Sequence, residues 1–208
     1  MDAVRLLICA VVIAAAACTS GPQPMDESGY EREIMAWRAA KNAMLASEPD
    51  SPLLPADRAG FTGLPYWPVN STFRMAARLE EDRSNTHIIE LPTSSTELRR
   101  MQRVGSLHFL FAGRPLTLTA FADEGVTEIT RLFVPFGDLT SGTETYQGGR
   151  YLDLTRTPTG FYDLDFNRAY HPYCVYNINY VCPVPPRENR LDVAIRAGER
   201  YATPKSQP

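Results

Sequence analysis

From residue 73 onward, apolar residues recur with a period of two, and this alternation limits the chain to a β-rich fold more than any other feature does. Phe73, Met75, Ala77 and Leu79 alternate with polar neighbours, and residues 86–91 form a second candidate strand. Leu107, Phe109 and Phe111 alternate, Gly113-Arg114-Pro115 supplies a turn, and Leu116, Leu118 and Ala120 resume the pattern, which is a hairpin signal. Ile129–Phe136 is a further strand, and residues 150–155 and 161–167 read as a last hairpin around Thr157-Pro158-Thr159-Gly160. Several short strands joined by short turns predict an antiparallel barrel or sandwich. The expected class is therefore α+β, mainly antiparallel β, with one helix at each end.

The N-terminal helix is expected over 29–47. Tyr30, Ile34, Trp37, Met44 and Leu45 recur at a period of about 3.6, with Glu31, Arg32, Arg38 and Lys41 on the other side. Ser28 followed by Glu31 matches a capping box. Residues 48–72, rich in Pro and Gly, read as an ordered loop pinned by Phe61, Leu64, Tyr66 and Trp67. Leu191, Ala194 and Ile195, with Gly198 as a stop, suggest a short closing helix within 187–198. Residues 29–200 thus form one domain, and 201–208 are expected to be a frayed tail.

The first 28 residues read as an address and a tether. Residues 6–17 are an apolar run too short for a comfortable transmembrane helix but suited to the core of a signal peptide. Ala15-Ala16-Ala17-Cys18 resembles the bacterial lipobox, in which the cysteine is lipidated and the preceding segment, here 1–17, is removed. Ordinary secretion with cleavage after an alanine is the alternative. Residues 18–28 then supply the lipidated cysteine and a polar, Gly/Pro-bearing tether. Two or three acyl chains hold a protein firmly on a membrane. The expected location is the extracytoplasmic side of the cell envelope, at the outer membrane where the organism has one. The net charge of −3 provides no basic face for nucleic acid.

With Cys9 removed and Cys18 lipidated, Cys174 and Cys182 remain. In an oxidising compartment this spacing reads first as a disulfide, worth ~2–3 kcal/mol if unstrained. A metal pair assisted by His171 is the alternative, although no second close-spaced pair completes a zinc pattern. Of the other histidines, His108 reads as a half-buried strand residue, and His87 has no partner spacing. His171 is the better candidate for acid–base work.

The densest polar text spans 136–190. If Leu152 faces Phe166 and Leu154 faces Leu164, one side of the last hairpin is wholly apolar. That register puts Asp153 opposite Asp165 at roughly 5.5 Å between Cβ atoms. Facing carboxylates need solvent, a shared cation or a retained proton. Arg150 points to the opposite face in a regular strand. The preceding loop, 137–149, offers hydroxyls, Asp138, Glu144 and four glycines, but neither a phosphate-loop pattern nor a serine elbow around Ser141.

Several of these segments carry a resemblance. They are 133–142 (Phe133-Val134-Pro135-Phe136-Gly137-Asp138-Leu139-Thr140-Ser141-Gly142), Glu144-Thr145-Tyr146, Gly149-Arg150-Tyr151-Leu152-Asp153, Leu164-Asp165-Phe166-Asn167, Ala169-Tyr170, Cys174, and Cys182-Pro183-Val184-Pro185-Pro186 with Glu188-Asn189. Together they resemble the bacterial and archaeal domain-of-unknown-function family numbered 1684, over most of the chain from Trp37 to Glu199. His171 departs from the family pattern, where asparagine is usual, which argues against an obligatory catalytic histidine. The resemblance implies no particular reaction. It concentrates importance on Asp138, Thr140, Glu144, Tyr146, Arg150, Asp153, Asp165, Asn167, Glu188 and Asn189.

The leading expectation is a lipid-anchored envelope protein that binds a small molecule or a divalent metal on the Asp153/Asp165 face. Asp138, Thr140, Glu144, Tyr146, Asn167, Glu188 and Asn189 would serve as ligand-binding residues. A hydrolase or transferase would instead use Asp153 or Asp165 as acid or base and Arg150 as an anion clamp. A structural or interaction lipoprotein with no site is the third possibility. The sequence leaves the cofactor and the identity of any metal open.

Overall fold

The computed structural model describes residues 26–82 and 88–202. The expected signal, Cys18 and most of the tether lie outside the described residues, as do His87 and residues 203–208.

Among the described residues, seven strands form one antiparallel sheet curled into a nearly closed barrel. They are β1 (Arg74–Glu81), β2 (Ile88–Pro92), β3 (Leu98–Phe111), β4 (Arg114–Asp123), β5 (Arg131–Phe136), β6 (Arg150–Thr155) and β7 (Phe161–Asp165). The order is β6-β5-β4-β3-β1-β7, with β2 also on β3. The α+β, mainly antiparallel expectation therefore holds. The alternating residues do what their period demands: Ala77, Leu79, Leu107, Phe109, Leu118, Ala120, Leu132, Val134, Leu152, Leu154 and Leu164 fill the barrel.

Two local features shape the sheet. The β3–β4 hairpin turns on Ala112 and Gly113, both at positive φ (48° and 78°), a left-handed pair whose twist matches that of the flanking strands. Pro115, expected in the turn, instead lies within β4 opposite Leu110. A bulge between Arg103 and Gly105 shifts the parity of β3. Leu107 and Phe109 consequently face inward, while Met101 joins Leu91 and Phe121 in a second cluster.

The expected hairpin of residues 150–155 and 161–167 does not form. β6 pairs with β5 (Leu152↔Val134, Asp153↔Phe133) and β7 pairs with β1 (Leu164↔Met75, Asp165↔Arg74). The two strands sit at opposite ends of the strand order, so the barrel seam lies between them. Leu152, Leu154, Leu164 and Phe166 are all buried as the alternation requires. The pairing that would have set Asp153 against Asp165 is absent.

Helix α1 (Glu27–Ser47) is capped by Asp26, not Ser28. The Asp26 carboxylate accepts the Gly29 N–H at 3.1 Å and the Ser28 hydroxyl at 2.8 Å. The helix ends before Pro49, which disfavours helical geometry in the residue preceding it. Its buried residues are Tyr30, Ile34, Arg38 and Leu45. Arg38, expected on the solvent side, is buried because its guanidinium donates to the carbonyls of Trp67 (2.9 Å) and Asn167 (3.3 Å) and lies over the Tyr66 ring. A short helix α2 (Pro55–Arg58) interrupts the loop that follows.

Among the described residues of the C-terminal end, only a 3-10 turn, Arg187–Asn189, is helical. Beyond it the chain runs extended beside Gly137: Leu191 N–H donates to the Gly137 carbonyl, and Leu139 N–H donates to that of Val193. Leu191, Ile195 and Ala197 are buried and Val193 packs against them, a period of two that the helical reading of Leu191, Ala194 and Ile195 overlooked.

Candidate functional site

The polar residues of 136–190 mostly build interior scaffolding. Arg150, the first residue of β6, points into the end of the barrel, away from Asp153, as strand geometry requires. Its guanidinium donates to Asp138 Oδ2 (2.7 Å) and to the carbonyls of Ile195 (2.7 Å), Ala197 (2.5 Å) and Glu199 (3.1 Å). The rings of Trp67 and Phe136 lie 5.2 Å from it. Burial pulls the Arg150 pKa down while Asp138 opposes the shift. Asp138 in turn accepts the Thr140 N–H (2.7 Å) and hydroxyl (2.5 Å), and Thr140 meets Thr145 at 3.0 Å. The Ser141 hydroxyl accepts the Asp138 N–H. Arg150 therefore clasps the C-terminal segment, and an anion has no access to it.

Asp165 and Asn167 form a second knot. Asp165 Oδ1 accepts the Tyr30 hydroxyl (2.9 Å) and the Asn167 N–H (2.9 Å). The Asn167 side chain holds the backbone of Asn70 by both N–H and carbonyl. Burial, then the Asp165 charge, pushes the Tyr30 hydroxyl above its ordinary range.

Asn189 forms a third. Its amide accepts the Thr119 N–H (2.7 Å) and donates to the carbonyls of Thr119 (2.9 Å) and Pro135 (2.7 Å). β4 and β5 are paired only at Phe121↔Phe133, and this side chain bridges them where their own ladder fails.

Glu144 makes a bidentate pair with Arg196 at the surface, and Glu188 is exposed. Tyr146 is half-buried, its hydroxyl pushed up to about 12 by burial and the neighbouring Cys174. The ten residues emphasised by the sequence thus do not converge in one pocket.

Of the ten, Asp153 lines a large cleft. The cleft, about 740 Å³, lies on the outer face of β5 and β6 and is walled by the segment 170–183. The Asp153 carboxylate pairs with Arg131 at 2.5 Å and accepts the Tyr170 hydroxyl at 2.7 Å. Around it stand Trp37, Phe133, Tyr151 and Tyr173. Tyr151 packs edge-on against Phe133 (4.7 Å) and Tyr170 (5.7 Å), and its hydroxyl donates to the Pro183 carbonyl. Burial raises the pKa of both Tyr151 and Tyr170, and Asp153 adds to the rise at Tyr170. Both therefore remain phenols.

Lys41 also lines the cleft. Its ammonium lies 4.4 Å over the Tyr170 ring and bonds to Glu199 at 2.5 Å. Glu199, 1% exposed, also accepts the His171 N–H (2.7 Å) and the Tyr176 hydroxyl (2.8 Å). His171 Nε2 accepts the Tyr146 N–H at 3.3 Å. Burial, with Arg150 and Lys41 nearby, drives its pKa down to about 3. His171 is thus held as a buried, neutral acceptor for the Tyr146 N–H. His108, expected half-buried, is exposed on β3 beside Glu80 and Thr117.

Arg131, Tyr170, Lys41, Trp37 and Glu199 escaped the sequence reading. Arg131 becomes a partner of Asp153 only through the β5–β6 pairing. Tyr170 stood within a recognised segment but carried no role. Cys174 and Cys182 carry free thiols, with the Cys174 N–H donating to Cys182 Sγ at 3.1 Å. Among the described residues, no three His, Cys, Asp or Glu side chains are grouped to hold a metal ion, and no helix is long and apolar enough to cross a membrane.

The solved structures include a relative of the whole domain. The uncharacterized protein from gene locus rrnAC0354 of Haloarcula marismortui, determined in solution by NMR, is 34% identical and superimposes with a TM-score of 0.66. The alignment covers 85% of this chain and 96% of that one. A search of curated proteins finds no match. The model of the family described as "Protein of unknown function (DUF1684)" matches residues 59–200. That stretch holds the whole barrel, the Arg150 clasp and the cleft wall, and the chain belongs to the DUF1684 family.

Proposed function

We propose that this chain is an exported, lipid-anchored cell-envelope protein whose cleft on the outer face of β5 and β6 binds a small organic molecule. The observation that carries the binding reading is the Arg131–Asp153–Tyr170 cluster set among aromatic walls in a cleft of about 740 Å³. Ligand pockets of roughly 300–1,000 Å³ combine apolar walls with a few placed polar groups, as this one does. Every charge at the cleft has an internal partner: Arg131 with Asp153, Lys41 with Glu199, Arg99 with Asp123. The ligand therefore needs no net charge. Aromatic faces favour a molecule with a flat or ring-shaped apolar side and polar edges.

The absence of a three-ligand cluster among the described residues favours this reading over a metal. The hydrolase or transferase alternative loses its arginine clamp, since Arg150 is sealed by Asp138 and three carbonyls. Anchoring draws support from the apolar run 6–17, the Ala-Ala-Ala-Cys sequence ending at Cys18, and the polar tether after it.

A thermal-shift screen with mono- and disaccharides and planar heteroaromatic compounds tests the cleft. At least one compound should raise the melting temperature, and Asp153→Asn and Trp37→Ala should remove that rise while Glu188→Gln keeps it. A rise that persists in both cleft variants would reject the assignment. Detergent phase partitioning tests the anchor: the protein from its native host should enter the detergent phase, and Cys18→Ser should stay aqueous.

A further inference from the structure

We infer that Cys174 and Cys182 form a thiol–disulfide exchange site, in which the partly exposed Cys174 takes the incoming disulfide and the buried Cys182 resolves it. The two thiols are held together from both ends of a short loop. Cys174 sits in the 3-10 turn Tyr173–Val175, closed by the Tyr176 N–H on the Tyr173 carbonyl. Cys182 is pinned beside the end of β2: its N–H donates to the Ser94 hydroxyl at 3.0 Å, and its carbonyl accepts the Ser94 N–H at 2.8 Å. The Cys174 N–H···Sγ contact of 3.1 Å shows that the sulfur of Cys182 already faces its partner residue. Closing the bond therefore needs little backbone movement.

The environments of the two sulfurs differ. Cys174 is partly exposed, whereas Cys182 is 7% exposed. Hydrogen bonds from Cys182, Ser94 and Tyr146 pull the Cys174 thiol pKa down against the opposing effect of burial, while the bond to Cys174 and burial push that of Cys182 up. A low thiol pKa raises the thiolate fraction near neutral pH, and accessibility decides which sulfur an external reagent meets. A metal role is less favoured. His171, the nearest histidine in sequence, has its Nε2 occupied by the Tyr146 N–H, and no third ligand is grouped with the pair among the described residues.

The reacting partner is a small-molecule or protein disulfide, R–S–S–R. The Cys174 thiolate attacks one of its sulfurs; the Cys174–S(R) bond forms, the S–S bond breaks, and one R–S⁻ leaves and takes up a proton. Cys182 then gives its proton to solvent, and its sulfur attacks Cys174 Sγ. The Cys174–Cys182 bond forms and the second R–S⁻ leaves and is protonated. Two protein thiols are oxidised by two electrons while one disulfide is reduced to two thiols. Tyr180 and Val181, within the closed loop, line the cleft, so the exchange also fixes one of its walls.

The test uses the full chain with Cys9→Ser and Cys18→Ser, so that only this pair reacts, and glutathione disulfide as the probe. Intact mass and peptide mapping should show both thiols lost together with no retained glutathionyl group. Cys182→Ser should retain one glutathionyl at Cys174, and Cys174→Ser should be modified at least about tenfold more slowly. Equal rates in the two variants, or a stable mixed disulfide on the chain that carries both thiols, would overturn the assignment. Pulse alkylation of that two-thiol chain provides a check that does not depend on how the single variants fold. Cys174 should be labelled before Cys182, and the reverse order would also overturn it.

Discussion

The guanidinium of Arg150 and the carboxylate of Asp138 meet at 2.7 Å with 1% of either side chain exposed. Both charges are taken wholly out of water, and each is compensated by the other and by fixed hydrogen bonds. Breaking such a pair leaves a buried charge with nothing to offset it, which costs about 3–5 kcal/mol. Arg150→Met should lower the unfolding free energy by about that amount in urea titration. It should also loosen residues 195–199, seen as faster amide exchange there. A loss under about 1 kcal/mol would mean that the clasp is dispensable.

Asn189 should behave as a structural bridge. Asn189→Ala leaves the Thr119 N–H and the carbonyls of Thr119 and Pro135 without their partner. Buried groups left unsatisfied cost about 1–3 kcal/mol each, so a loss of about 3 kcal/mol is expected. Exchange of the Thr119 amide proton, followed by NMR, should accelerate more than that of Leu118.

Acid should destabilise the protein through His171. Its pKa is about 3 when folded, against 6.5 for the free side chain. The unfolded chain therefore binds the proton first. The stability this histidine contributes is complete above pH 6.5 and falls as the pH drops from there toward 3. By about pH 4 the loss approaches roughly 3 kcal/mol. His171→Asn keeps an acceptor for the Tyr146 N–H and should flatten the profile over that range. Urea midpoints across the pH series, in both proteins, provide the comparison.

Asp153 and Asp165 should separate cleanly. Asp153 sits in a half-exposed pair with Arg131, and exposed or partly exposed ion pairs contribute about 0–1 kcal/mol. Asp153→Asn should melt close to the parent while losing ligand-induced stabilisation. Asp165→Asn weakens a buried acceptor shared by Tyr30 and Asn167 and should cost about 2 kcal/mol. Differential scanning calorimetry with and without ligand distinguishes the two outcomes.

The alternation of apolar residues specifies faces, and faces were legible throughout the barrel. Leu152, Leu154, Leu164 and Phe166 are buried whichever strand lies beside them, because side chains alternate across any pleated strand. The helical period of Tyr30, Ile34 and Leu45 was equally local and equally readable.

Partners were not legible, because a period of two carries no information about which strand supplies the neighbour. Asp153 meets Arg131 through β5 and Asp165 meets Tyr30 through α1; the adjacency of their strands in sequence suggested a hairpin that barrel closure does not use. Arg38 and Arg150 read as surface or site charges, since a long basic side chain is seldom buried unless carbonyls and carboxylates from distant segments gather around it. The sequence by itself determined a β-rich domain with an N-terminal helix and most of its core. Only the tertiary structure decided that Asp138, Arg150, Asp165, Asn167 and Asn189 hold one another and the backbone in the interior, and that Asp153 faces the cleft. The reason is that burial and hydrogen-bond partnership arise between segments far apart along the chain.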